Sequence, residues 1–160
     1  MIYINILCAK EMRISMVIEE RNIKLQAHAE NWEEALKISG GLLVDSGYIE
    51  EEYVEMTIDT VKEMGPYIVI GPGLALAHSR PDASVLKTGI SLITLDEAID
   101  FGSELGPVQV VITLAAKDSN THIDKLQVIA GILSDEDNMG KVCAEKDAAV
   151  VAKLFNTWRE

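Results

Sequence analysis

Apolar residues change their spacing several times along this chain, and each change marks an element. Ile23, Leu25 and Ala27 alternate with polar neighbours up to residue 29, the two-residue period of a half-buried strand. From Trp32 the period lengthens: Trp32, Ala35, Leu36, Ile38, Leu42 and Leu43 recur near helical spacing to about Asp45. Asn31 and Glu34 form a capping box that starts this helix. The Gly40-Gly41 pair inside it costs on the order of 1 kcal/mol per glycine relative to alanine, and would permit close packing. Residues 50–64 predict a second helix, with acids in the first turn, a stripe of Val54, Ile58 and Val61, and Gly65-Pro66 as the stop.

The middle of the chain switches to strands. Residues 67–70, 74–77, 88–95 and 108–115 are short apolar runs, the last apolar enough for a central strand. Asp118-Ser-Asn-Thr offers N-caps before Ile123, Leu126, Ile129, Ala130 and Leu133, another helical stripe, with His122 in its first turn. Residues 134–141 read as a polar break, and Ala148, Val151, Leu154, Phe155 and Trp158 as a closing amphipathic helix. These elements predict a single-domain α/β fold, a mixed central β-sheet flanked by α-helices.

Composition narrows the possibilities. At 160 residues and 48% hydrophobic, the chain has enough apolar surface for one real core. A net charge of -12, with fourteen basic residues scattered among twenty-six acids, argues against nucleic acid and for a basic protein partner. Cys8 and Cys143 form neither a CxxC pair nor a disulfide framework, which favours a reducing, cytoplasmic setting. The apolar start, residues 1–9, is shorter than the roughly 20 residues a membrane span needs and lacks a basic leader, so no membrane insertion is expected. Lys10-Glu11 can be encoded by a purine-rich ribosome-binding sequence shortly before Met16; we therefore expect residues 1–15 to be an extension from a mis-assigned start and the domain to run over 16–160.

The candidate chemistry centres on one segment. Residues 67–81 read as a strand, a Gly-Pro-Gly turn and a second run that delivers His78, followed at once by Ser79, Arg80 and Pro81. An imidazole held in this way is a candidate nucleophile, since its ordinary pKa of about 6.5 leaves a neutral ring abundant near neutral pH. Holding its Nδ1–H on an acceptor would put the free lone pair on Nε2; the pattern does not identify that acceptor. Arg80 is equally a contact for phosphate or a partner and a solvent-facing loop residue. Lys62 reads as a solvated helix position, His28 has no recognisable partner, and Cys143 lacks a following glycine-rich anion loop and reads as structural. No HxH or HExxH spacing points to a metal, and Gly71-Pro-Gly73 is not a nucleotide-binding loop, so neither metal nor cofactor is expected.

These residues resemble a known family, the enzyme IIA component of the bacterial sugar phosphotransferase system, mannitol and fructose type. The likeness is carried by Gly65-Pro-Tyr-Ile-Val, by Pro72-Gly-Leu-Ala-Leu-Ala-His78-Ser-Arg-Pro81, by the Gly89-Ile-Ser-Leu strand, by residues 110–116 with the helix-opening His122 after them, and by the Asn31-Trp-Glu-Glu-Ala helix. It covers residues 16 to the C-terminus, and the His-Ser-Arg-Pro variant is most similar to the ascorbate-type branch. The resemblance implies a phosphoryl relay: the phosphocarrier HPr phosphorylates Nε2 of His78, His122 supports the phosphoryl group, and a cysteine of an enzyme IIB partner, associated with a membrane IIC permease, receives it.

His122 at a helix start would face the positive end of the dipole, which keeps its ring neutral and able to donate to a phosphoryl oxygen. Two departures stand out: many relatives have proline where this chain has Ala77, and residues 1–15 match nothing in the family. A second reading keeps His78 but makes the domain a regulatory module phosphorylated as a signal. A hydrolase using Ser79 with His78 is a distant third, because adjacent residues of an extended run point to opposite faces.

Overall fold

The computed structural model describes residues 17–118 and 123–158. Five strands, β1 (Ile23–Ala27), β2 (Val69–Gly71), β3 (Gly73–Ala77), β4 (Gly89–Ile99) and β5 (Val108–Ala115), form one mixed sheet in the order β1-β4-β5-β3-β2. β5 is central, as its unbroken apolar run requires, paired antiparallel with β4 and parallel with β3. Helices α1 (Trp32–Asp45) and α2 (Glu51–Met64) pack on one face. Helices α3 (Ile123–Leu133), α4 (Glu136–Ala144) and α5 (Ala148–Thr157) cover the other.

Alternation along the inner strands feeds both layers. Leu74 and Leu76 of β3 with Val110 and Ile112 of β5 face α3, α4 and α5, while Ala75, Ala77 and Val111 face α1 and α2. This is the expected α/β domain with a mixed sheet between helices. The expectation about residues 1–15 lies outside the described residues.

Several local expectations need correction. Residues 134–141 are not a break: Asp135 caps a fifth helix, accepting from the backbone N–H of Asp137 at 2.8 Å and of Asn138 at 3.1 Å. Buried Val142, with Met139 and Cys143 half-covered, is enough to dock this otherwise polar helix on the core. Asn31 does cap α1, its Oδ1 accepting from Glu34 N–H at 2.9 Å, but the Glu34 carboxylate accepts from Glu30 N–H at 3.3 Å and not from the cap residue itself. β1 ends at Ala27, and within it Gln26 takes φ +55, a left-handed geometry at which the register with β4 shifts between Lys24 and Ala27. β4 continues past Leu95 to Ile99, where exposed Asp96 and Glu97 hide the strand from an apolar count.

The glycine pair in α1 divides in function. A Cβ on Gly40 would sit 2.5 Å from Val54 Cγ2, so Gly40 lets α1 and α2 meet; Gly41 has open space around it.

Candidate functional site

The Gly71-Pro72-Gly73 turn folds β2 back antiparallel on β3, and Gly73 takes φ +78, a conformation glycine adopts without a steric penalty. β3 then runs beside the central strand until Ala77 pairs with Thr113. His78 is the next residue. It emerges at the carboxyl ends of β3 and β5 together, where the sheet has its parallel pair.

The ring is oriented by its own strand. Nδ1 of His78 lies 2.8 Å from the Leu76 carbonyl oxygen. A carbonyl only accepts, so Nδ1 carries the proton and the neutral ring keeps its lone pair on Nε2. Among the described residues Nε2 has no hydrogen-bond partner. The acceptor the sequence left open is therefore a backbone atom two residues back. Ala77 in place of proline leaves this strand end regular and buried.

Two tyrosines that the sequence pattern did not single out complete the frame. Tyr67 packs edge-on against the His78 ring, with centroids 5.4 Å apart and an interplanar angle of 77°, and its hydroxyl donates to the His78 carbonyl at 2.7 Å. Tyr53, buried in α2, accepts the Ser79 N–H at 2.9 Å and donates to the Leu114 carbonyl at 3.0 Å. Burial pushes both phenols above their ordinary pKa, so they stay protonated as donors. An aromatic among backbone carbonyls leaves no periodic trace; only the unusual tyrosines in otherwise aliphatic elements hinted at them.

Around this frame is an open cleft of about 330 Å³, lined by Met56, Thr60 and Met64 of α2 and by Tyr67, His78, Ser79 and Arg80. Arg80 is exposed and forms no ion pair among the described residues. Met64, in the same lining, is 70% exposed, so an apolar side chain and the cationic Arg80 border the cleft together with the imidazole. A wider hollow of about 560 Å³ between the β2–β3 turn and α3–α4 has mostly apolar walls and no histidine or cysteine. The chemistry, not the volume, marks the site.

The other candidates separate. His122 lies outside the described residues; the chain leaves β5 at Ala115, at the His78 end of the sheet, and resumes as α3 at Ile123. His28 was read as unpartnered, and this is corrected: its Nδ1 lies 3.1 Å from Asp96 and its Nε2 2.9 Å from Glu30, at the opposite end of the sheet. Those carboxylates, Glu30 first, raise its pKa. The Asp96 contact joins residues 68 apart, which no local pattern could have found, whereas Glu30 is a near neighbour in sequence. Lys62 is exposed and lies 3.6 Å from Glu33, a solvated position as expected. Cys143 is half-buried against the core, and burial pushes its thiol up, away from the reactive thiolate. Among the described residues no helix is long and apolar enough to cross a membrane, and no group of three His, Cys, Asp or Glu is arranged to hold a metal ion.

Comparison with known proteins places this geometry in context. Residues 16–157 match the profile of the family described as phosphoenolpyruvate-dependent sugar phosphotransferase system, EIIA 2. The ascorbate-specific PTS system EIIA component of Escherichia coli (strain K12) is 43% identical over 140 residues, covering 86% of this chain and 91% of that protein. Among solved structures, the mannitol-specific cryptic phosphotransferase enzyme IIA CmtB from Escherichia coli superposes with a TM-score of 0.80 at 30% identity, over 91% of this chain and 99% of that one. The complex of enzyme IIAMTL and phosphorylated enzyme IIBMTL from Escherichia coli matches with a TM-score of 0.74 at 30% identity, over 86% of this chain and 96% of that one.

Proposed function

Because the chain belongs to the EIIA 2 family of the phosphoenolpyruvate-dependent sugar phosphotransferase system, we propose that it carries phosphoryl groups on Nε2 of His78, from phospho-HPr to a cysteine of an enzyme IIB partner, for sugar uptake. The observation that carries the residue assignment is the Nδ1 contact with the Leu76 carbonyl, which leaves the lone pair on the nitrogen without a hydrogen-bond partner among the described residues.

The chemistry follows from that contact. The Nε2 lone pair attacks phosphorus in line as the bond to the donor's nitrogen breaks, and the electron pair of that bond returns to the donor. The new P–N bond leaves the His78 ring cationic, with its Nδ1–H still donating to the Leu76 carbonyl, now in a charge-assisted hydrogen bond. A cysteine thiolate of the IIB partner then attacks phosphorus, the P–N bond breaks, and the pair returns to Nε2. No proton enters or leaves the imidazole in either step.

The surroundings support partner docking. Exposed Met64 supplies apolar contact, and Arg80 stands at the cleft to meet the phosphoryl oxygens or an acidic group of the partner. His122, which precedes Ile123 in sequence, is proposed to support the bound phosphoryl group by donating from its neutral ring. The likeness to an ascorbate-specific component supports ascorbate as the transported sugar derivative. The setting is then the cytoplasmic side of a membrane IIC permease.

Incubation with phosphoenolpyruvate, enzyme I and HPr, followed by mass spectrometry under conditions that spare phosphohistidine, tests the relay. One phosphoryl per chain that moves on to a IIB cysteine is expected. Unchanged labelling in His78→Ala would remove the assignment; label that reaches His78 but no IIB would leave a signalling module in place of a carrier.

A further inference from the structure

The pairing of β3 with β5 ends at Ala77 and Thr113, so the peptide that follows His78 has lost the ladder that holds the strand. Its two polar edges are taken up by side chains. The carbonyl is His78 O, which accepts from the Tyr67 hydroxyl at 2.7 Å; the N–H is that of Ser79, which donates to the Tyr53 hydroxyl at 2.9 Å. One peptide plane therefore lies between two phenols, one in the turn before β2 and one in α2.

The bonds run head to tail. Tyr67 O–H donates to the His78 carbonyl, the N–H of the same peptide donates to Tyr53, and Tyr53 O–H donates to the Leu114 carbonyl of β5. Each donor polarises the next in the same direction, which strengthens the chain. It ends on the central strand, the most firmly held part of the sheet. The Tyr67 ring meanwhile bears edge-on against the imidazole whose backbone it holds.

We propose that Tyr67 and Tyr53 are positioning residues for phosphoryl transfer: they fix the His78–Ser79 peptide by both edges and so fix the direction of Nε2. This rests on the reading of His78 as the phosphoryl acceptor. Neither hydroxyl is hydrogen-bonded to Nε2, since each gives its hydrogen to a backbone carbonyl. Their contribution is geometric. Rotation of this peptide swings the imidazole relative to the Leu76 carbonyl, which loosens the proton on Nδ1 and misaims the lone pair, and in-line transfer tolerates little misalignment.

Tyr67→Phe removes one hydroxyl and keeps the ring contact. In 15N-labelled wild-type protein, long-range proton–nitrogen spectra are expected to show His78 as a single tautomer with Nδ1 protonated. In Tyr67→Phe they are expected to show a mixture of tautomers, together with a fall in kcat for transfer from phospho-HPr of about tenfold, with KM and thermal midpoint near wild type. Tyr53→Phe should show the same split with a lower midpoint, because it leaves the Ser79 N–H and Leu114 carbonyl unpaired; should it not fold, Tyr67→Phe decides alone.

An unchanged tautomer and kcat in Tyr67→Phe would overturn the proposal, and so would a rise in KM alone, which would make Tyr67 a docking residue. If wild-type protein takes no phosphoryl group on His78, the carrier reading fails, while the ring spectra still decide whether the two phenols hold the imidazole.

Discussion

His78 and His28 occupy opposite ends of one sheet, and their surroundings divide the two things an imidazole can do. His78 gives one nitrogen to a neutral carbonyl and keeps the other free of any partner among the described residues. His28 is exposed and gives both nitrogens to carboxylates, Asp96 on Nδ1 and Glu30 on Nε2. Two anionic acceptors, Glu30 first, favour a proton on each nitrogen and raise the pKa, and both ring nitrogens of His28 are engaged. A single neutral acceptor fixes the tautomer without demanding the second proton. The lesson is that a nucleophilic histidine is recognised by what is absent from one of its nitrogens as much as by what is present at the other.

The largest test of that contrast is removal of each ring in turn. His78→Ala should lower phosphoryl transfer from phospho-HPr by at least about 10³-fold, while His28→Ala transfers at the wild-type rate; stopped-flow or quench measurements of labelled protein check both. Equal losses would erase the distinction.

Arg80 sharpens it next, being the exposed cation at the His78 cleft. Arg80→Ala should reduce the second-order rate constant by roughly tenfold at low ionic strength, with the difference shrinking as salt is added. A loss independent of salt would instead place Arg80 on the phosphoryl group itself.

A third change works through the scaffold at the His78 end. Gly40→Ala pushes its new methyl against Val54 of α2, the helix that carries Tyr53, and should destabilise the fold by about 1–3 kcal/mol by overpacking. Gly41→Ala meets nothing and should stabilise by up to about 1 kcal/mol through helix propensity. Urea unfolding of the two variants compares them directly.

The smallest effect belongs to His28. Its folded pKa is raised above the ordinary 6.5, so protonation binds more tightly to the folded chain. The resulting stabilisation is fully present below about pH 6.5 and is lost as pH rises through the higher folded value. Thermal midpoints of His28→Gln and wild type should therefore differ slightly at pH 5.5 and converge at pH 9. A gap that widened with pH would reverse the sign.

Much of the scaffold was readable from residue order. Residues 108–115 form β5 with the expected bounds, because an apolar run between clear breaks has few alternatives, and the Gly-Pro-Gly turn carried its geometry in its composition. Helix α4 was hidden because Asp135, Glu136 and Asp137 look like a polar loop, although an N-cap and first-turn acids also look this way. His78 was legible as a presented imidazole.

Its supporting atoms were not. The Leu76 carbonyl is a backbone group present at every residue, and Tyr53, 26 residues from Ser79, is joined to it only by the packing of α2 on the sheet. The Asp96 partner of His28 was equally remote. Sequence spacing reports the chain's local period; it reports hydrogen bonds across the fold only when the motif itself is already known.

The central claim concerns a nitrogen, so the most direct measurement identifies one. Protein labelled with 15N in its histidines and phosphorylated through HPr should show, by phosphorus–nitrogen coupling and long-range proton–nitrogen spectra, a single phosphoryl group on Nε2 of His78 with Nδ1 still protonated. A phosphoryl group on Nδ1 of His78, or on His28 or any other side chain, would contradict the account.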